Sequence, residues 1–247
     1  MPDLLITPVY LLLADISGYT RFVTLHQTSF LHAEEIITQL MGAVIEAATS
    51  PLVLNKLEGD AAFFYAPAGD DGGKVAVGLV QQVSGLMAAF RRKQEELVQV
   101  GEGGCFCDAC CNLGALKLKV ILHSGEAILK QVRQWEELAG LDVILIHRLL
   151  KNRLAAREYI LMTENFLWVG GGLPEWTSLP YTDNFEGIGE VKTLVFYPEP
   201  PSPDRPFTQP RFVRPAGIIA GLKLFGRPLW RRLTGKRPTF HNLPARA

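Results

Sequence analysis

Apolar positions recur along the chain in two spacings. Val9 to Ile16 is a short Leu-rich run that meets Asp15 near its end and is followed by Ser17-Gly18, so it predicts a buried strand stopped by a polar turn. Thr20 to Leu25 begins a helix. Ser29 is an N-cap for a second helix, in which Ile37, Leu40, Met41, Val44, Ile45 and Ala48 recur at helical spacing until Pro51. Leu52–Leu57 and Ala61–Ala66 predict two strands joined through Glu58-Gly59-Asp60, a hairpin with an acid at its tip. Val77, Val80, Val83, Met87 and Phe90 predict a long helix over Lys74–Gln99, after which 101–114 reads as a Gly- and Cys-rich loop. Leu116–Leu122, alternating with Lys117 and Lys119, and Glu126–Val132 predict two strands. Asp142 caps a helix to about Asn152, and Glu158–Met162, Tyr181–Phe185 and Val191–Tyr197 are the last strands. The order β-α-α-β-β-α-β-β-α-β-β-β predicts an α/β (α+β) domain, a sheet covered by helices.

Charge changes this picture at one end. The 247 residues carry 25 Lys+Arg and 25 Asp+Glu with 48% hydrophobic residues, which argues against a disordered or globally basic chain. Ten of the basic residues lie in 201–247 with one acid, Asp204, leaving 15 basic and 24 acidic residues in 1–200. Seven of the 16 prolines fall between Pro198 and Pro215. The expected organisation is one domain over 1–197, a Pro-rich linker over 198–215 and a basic amphipathic tail over 216–247. Met1-Pro2-Asp3-Leu4 lacks the positive n-region of a signal peptide and no apolar run approaches bilayer-spanning length, so a cytoplasmic location is expected.

Candidate chemistry gathers at strand ends. Asp15 lies where a strand meets a Gly turn, and Asp60 at a hairpin tip. Two such carboxylates either hold a divalent cation beside phosphate-facing N–H groups of Ser17-Gly18, or cap a helix and shape a turn. Cys105, Cys107, Cys110 and Cys111 fall within seven residues, which is not a disulfide framework. They are either ligands for Zn2+ or redox-sensing thiols, or simply reduced thiols in a loop.

Several segments carry a resemblance. Ala14-Asp15-Ile16-Ser17-Gly18-Tyr19-Thr20-Arg21-Phe22 resembles the opening metal-binding motif of class III adenylate/guanylate cyclase domains. Lys56-Leu57-Glu58-Gly59-Asp60-Ala61 is similar to their Lys-x-x-Gly-Asp hairpin, and Val120–Glu126 to their Gly-Ile-His-x-Gly strand. Gly140–Leu149 is similar to their Gly-x-x-Val-Asn-x-Ala-x-Arg-Leu helix, and Glu158–Thr163 and Phe185–Phe196 to their last strands. The resemblance covers 9–197 and is nearest to an uncharacterised bacterial branch. It implies a ferredoxin-like βαββαβ core, a head-to-tail homodimer, and conversion of ATP to cyclic AMP and pyrophosphate with Mg2+ or Mn2+. Carried over by position, Asp15, Asp60 and the Ile16 carbonyl are metal ligands, and Ser17, Gly18, Tyr19 and Thr20 meet the phosphates. Lys56 and Glu137 recognise adenine, and Arg148 stabilises the transferring phosphate.

The sequence also departs from that pattern. The ribose-orienting Asn position is Ile144, and Glu186-Gly187-Ile188-Gly189 stands where the family has Lys-Gly-Lys/Arg-Gly. Loss of one orienting contact costs on the order of a hundredfold in rate. The alternative is therefore a catalytically degenerate module that binds nucleotide, metal or a partner for signalling. His123 is expected as a satisfied structural histidine. In the tail, Ile218, Leu222, Phe225, Leu229 and Leu233 interleave with Lys223, Arg227 and Arg231, as in a segment for an anionic membrane surface, which would make the association peripheral. The other reading docks that face on an acidic domain. Nucleic acid is not an expected partner, because Trp230 and Phe240 form no recognisable base-stacking module.

Overall fold

A computed structural model of the protein describes residues 5–25, 30–102, 108–198 and 205–208. Strand β1 (Ile6–Ser17) sits between two cores. Tyr10, Leu12, Ala14 and Ile16 pack on one face, and Val9, Leu11 and Leu13 on the other. A strand enclosed on both sides needs apolar residues at every position, which explains its unbroken hydrophobic run.

The hairpin of β2 (Val53–Glu58) and β3 (Ala61–Pro67) forms as expected, with Gly59 at φ +65° in its turn. The remaining strands are β4 (Lys117–Val132), β5 (Trp135–Ala139), β6 (Tyr159–Thr163), β7 (Thr177–Phe185) and β8 (Gly189–Tyr197). They lie in the order β2-β3-β1-β4-β6-β8-β7, with β5 beside β4. The antiparallel neighbours β4-β1-β3-β2, with helices following β1 and β3, are the ferredoxin-like βαββαβ core. β6 then joins β4 in parallel and extends the sheet.

Helices α1 (Tyr19–Leu25), α2 (Phe30–Ala47) and α3 (Gly72–Glu102) cover one face of the sheet. Further along the chain come α4 (Asp108–Asn112), α5 (Leu141–Leu149) and α6 (Glu164–Gly170). Val143, Leu145, Ile146 and Leu149 of α5 fill the opposite core, while Phe166 of α6 joins the first. By length and composition Gly72–Gln99 of α3 is apolar enough to cross a bilayer, contrary to the expectation from apolar runs. Its Ala76, Leu79, Val83, Leu86 and Phe90 are instead buried against the sheet.

Four local expectations are corrected. The two strands expected over 116–132 are one strand, β4, because Ser124-Gly125 continues the ladder opposite Tyr10 and Val9. Gly125 is there for space: a Cβ would lie 2.2 Å from the Asp142 Cγ. Asp142 is not a cap. The residue at the N-cap position of α5 is Gly140, and the Asp142 carboxylate accepts from the Glu126 N–H (2.7 Å) and lies 2.9 Å from His123 Nε2. The end of the expected loop 101–114 is helical, as α4 followed by a 3-10 turn over Leu113–Ala115. Strand β5 and helix α6 are additional elements. Ser29, Cys105, Cys107 and the tail 216–247 lie outside the described residues.

Candidate functional site

The end of β1 and the β2–β3 turn meet through the Ile16 N–H, which donates to the Asp60 carbonyl at 3.1 Å, while Asp15 registers with Ala61. This pairing brings Asp15 and Asp60 to the same end of the sheet, as the sequence predicted. Asp15 is buried, with Lys119 Nζ 3.1 Å from its Oδ2. Burial raises the Asp15 carboxyl above its ordinary range, opposed by the Lys119 charge and hydrogen bond. Asp60 is pushed up to about 6, by burial first and then by the Asp15 charge. Two carboxylates that resist joint ionisation are a site where positive charge is stabilising.

After Asp15 the chain turns at Gly18, whose φ of +95° favours glycine, and the Gly18 carbonyl accepts from the Phe22 N–H at 2.9 Å to open α1. Ser17, Gly18, Tyr19 and Thr20 line an open cleft of about 510 Å³ together with Asp15, Ile16 and Asp60. Tyr19 donates its hydroxyl to Glu34 Oε1 at 2.9 Å. Four cationic residues, Arg21, Lys119, Lys151 and Arg157, line the same cleft. Sequence reasoning did not assign these four. Lys119 alternates with apolar neighbours as a solvent-facing lysine would, and its partner Asp15 is set only by the β1–β4 register.

A second cluster forms on β2, β5 and α5. Lys56 Nζ lies 3.1 Å from Glu58 Oε1 and 3.6 Å from Glu137 Oε2, so the two residues assigned to base recognition are neighbours. His147 Nε2 lies 3.0 Å from Glu58 Oε2, and the imidazole stacks edge-on to Phe63 at 5.0 Å. The Glu58 carboxyl is held below its usual range: hydrogen bonds and charge from Lys56 and His147 outweigh its burial. One turn apart on α5, Ile144 is 51% exposed and Arg148 donates from Nη1 to the Glu186 carbonyl. Glu186 itself is exposed on the β7–β8 turn. None of Lys56, Glu137, Ile144 and Arg148 lines the cleft of Asp15 and Asp60.

Among the described residues no group of three or more His, Cys, Asp and Glu side chains is arranged to hold a metal. Asp15 and Asp60 offer two carboxylates beside an open cleft, which fits Mg2+ or Mn2+ completed by main-chain, water and substrate oxygens. His123 is buried, its Nδ1 2.9 Å from Thr163 Oγ1 and its Nε2 2.9 Å from Asp142, so both ring nitrogens are occupied. Cys110 Sγ lies 3.8 Å from His32 Nε2 and Cys111 is exposed.

Residues 37–159 match a family model described as Protein of unknown function (DUF2652). The chain is 38% identical over 157 residues to Uncharacterized protein Rv2561/Rv2562 of Mycobacterium tuberculosis, a match spanning 64% of this chain and 71% of that one. Among solved structures, the guanylyl cyclase Cya2 is similar with a TM-score of 0.62 at 16% identity, over 80% of this chain and 96% of that chain. The adenylyl cyclase CyaB from P. aeruginosa is similar with a TM-score of 0.60 at 13% identity, over 81% and 99%. The catalytic core of a rhodopsin-guanylyl cyclase in complex with ATPalphaS is similar with a TM-score of 0.54 at 17% identity, over 77% and 95%. At these identities the likeness is one of fold. The chain belongs to the same family as the mycobacterial protein Rv2561/Rv2562, and its fold is that of the nucleotide cyclase catalytic domain.

Proposed function

We propose that this domain binds ATP with Mg2+ or Mn2+ and converts it slowly to cyclic AMP and pyrophosphate in a head-to-tail pair of chains. The observation that carries the reading is the pair Asp15–Asp60, two carboxylates at one sheet end facing a cleft that four cationic residues also line. Excess positive charge around a carboxylate pair suits a polyphosphate that arrives with its cation. The bound cation would supply charge neutralisation at the transferring phosphate. Asp15 and Asp60 would hold that cation, with the Ile16 carbonyl as a further ligand, and Ser17 to Thr20 would meet the phosphates. In the reaction the ribose 3′-oxygen bonds to the α-phosphorus and its proton passes to water. The α–β bridging bond breaks, and its electron pair leaves on pyrophosphate.

The cluster of Lys56 and Glu137 offers a donor and an acceptor suited to an adenine edge. Because it does not line the same cleft, a second copy supplies it. That separation supports the homodimer, and the nucleotide complex of the structurally similar rhodopsin-guanylyl cyclase core supports nucleotide as the ligand. A domain over 1–197 and a cytoplasmic location remain part of this reading, with the tail 216–247 available to an anionic membrane surface.

A second reading is favoured by Ile144, which is exposed with no polar atom where a ribose-orienting Asn is expected, and by Arg148, whose guanidinium is engaged by the Glu186 carbonyl. On it the domain binds nucleotide without turnover. Incubation of the full chain with ATP and Mn2+, followed by chromatography for cyclic AMP, separates the two. Product above that of an Asp15→Ala, Asp60→Ala variant supports the enzyme. Binding without product supports the silent module.

The approach of His32 to Cys110 favours a separate soft-cation site. Two ligands sharing a tetrahedral Zn2+ stand about 3.6 Å apart for ordinary Zn–S and Zn–N lengths, close to the 3.8 Å here. Cys105, Cys107 and Cys111 are its further candidate ligands. Stoichiometric zinc in the purified protein, lost on His32→Ala with Cys110→Ser, tests this.

A further inference from the structure

We propose that Phe207, from the segment that leads into the basic tail, is a positioning residue for the two arginines of the cleft. The inference rests on reading that cleft as a polyphosphate site. Phe207 is 8% exposed and belongs to the core beneath β1, α1 and α3. Its ring closes on the turn after Asp15: a Cβ added at Gly18 would lie 2.9 Å and 3.1 Å from Phe207 Cζ and Cε2. The Arg21 guanidinium carbon is 5.3 Å from the ring centroid and that of Arg157 is 5.8 Å. Both arginines line the cleft that holds Asp15 and Asp60. One aromatic ring therefore touches the turn and braces two cations whose mutual repulsion would otherwise spread them apart.

The segment is tied down on both sides of the ring. Thr208 donates from N (2.7 Å) and Oγ1 (3.1 Å) to Asn112 Oδ1, and Asn112 Nδ2 donates to the Thr208 carbonyl at 3.1 Å. Asn112 is buried at 2% exposure, so these bonds fix a register. Arg157 Nη1 donates to the Ala115 carbonyl at 2.9 Å and Nη2 to the Arg205 carbonyl at 3.4 Å. Arg205 packs over Gly114, where a Cβ would lie 2.9 Å from its Cδ. The brace thus comes from outside the βαββαβ core and is fastened to α4, the helix that carries Cys110 and Cys111.

The test uses the full chain with two probes, Mn2+ alone and Mn2+ with tripolyphosphate, titrated by calorimetry. Phe207→Leu keeps an apolar side chain and removes the π face. Its affinity for Mn2+–tripolyphosphate falls about tenfold, while its affinity for Mn2+ alone is unchanged. Asn112→Ala, which unfastens Thr208, gives the same pattern. Wild-type tripolyphosphate affinity in Phe207→Leu overturns the inference alone, as does equal loss of both probes, which marks a merely structural role. A wild-type chain that binds Mn2+ but no tripolyphosphate overturns the polyphosphate reading and this inference with it.

Discussion

Replacing Asp60 with Asn tests whether the carboxylate pair carries unrelieved charge. The Asp60 carboxyl titrates near 6 through burial and the Asp15 charge. A shift of roughly two units is at most about 3 kcal/mol. Asp60 is only partly buried, so solvent screening reduces this to about 1 kcal/mol. The folded chain holds this proton to higher pH than the unfolded chain does. Wild-type stability therefore falls as pH rises from the ordinary carboxylate range to about 6 and stays lower above it. Asn removes the charge and keeps the turn. Differential scanning calorimetry should give the variant a Tm about 2–4 °C above wild type at pH 8, with that gain shrinking towards zero by about pH 4. Mn2+ should raise Tm for wild type and not for the variant. A lower Tm at pH 8, or a gain that persists undiminished in acid, refutes the electrostatic reasoning.

The remaining predictions concern α5 and its neighbours. Gly125→Ala drives a Cβ into Asp142 and breaks two charge-assisted contacts, so Tm should fall by about 5–10 °C; a shift below about 1 °C contradicts the packing account. Asp142→Asn should weaken the domain at neutral pH by about 2 kcal/mol in denaturant titration. The His123 hydrogen bond holds the Asp142 carboxyl below its usual range, so wild type keeps this contribution above that range and loses it as pH falls through the lowered value. Ile144→Asn restores a ribose contact and should raise cyclic AMP formation at least about tenfold. Unchanged product would show that the missing Asn does not limit the rate.

Sequence pattern and structure agree where one physical cause dominates. β1, β3 and β6 were legible because strands enclosed on both faces need continuous apolar runs, and α3 because its buried stripe repeats at helical spacing. β5 escapes the sequence pattern because only Leu138 of its five residues is buried, which leaves no alternation to read, and its pairing is set by β4 across a tight turn. The single strand β4 was divided at Gly125, whose small size serves Asp142 seventeen residues away rather than a turn. At the site, Asp15 and Asp60 were visible as acids at strand ends. The Lys119 ion pair depends on the β1–β4 register, in which Asp15 faces Lys119, and no local window contains it. The contact of Phe207 with Gly18 crosses nearly the whole described chain and is equally invisible locally.

The central claim is that Asp15 and Asp60 together hold a cation–nucleotide complex. Calorimetric titration of the full chain with ATP in the presence of Mn2+, beside an Asp15→Asn, Asp60→Asn variant whose fold is verified by circular dichroism, tests it most directly. The account predicts saturable binding by wild type that disappears in the variant and on chelation of Mn2+. Equal binding by both chains, or binding unaffected by chelation, would contradict it.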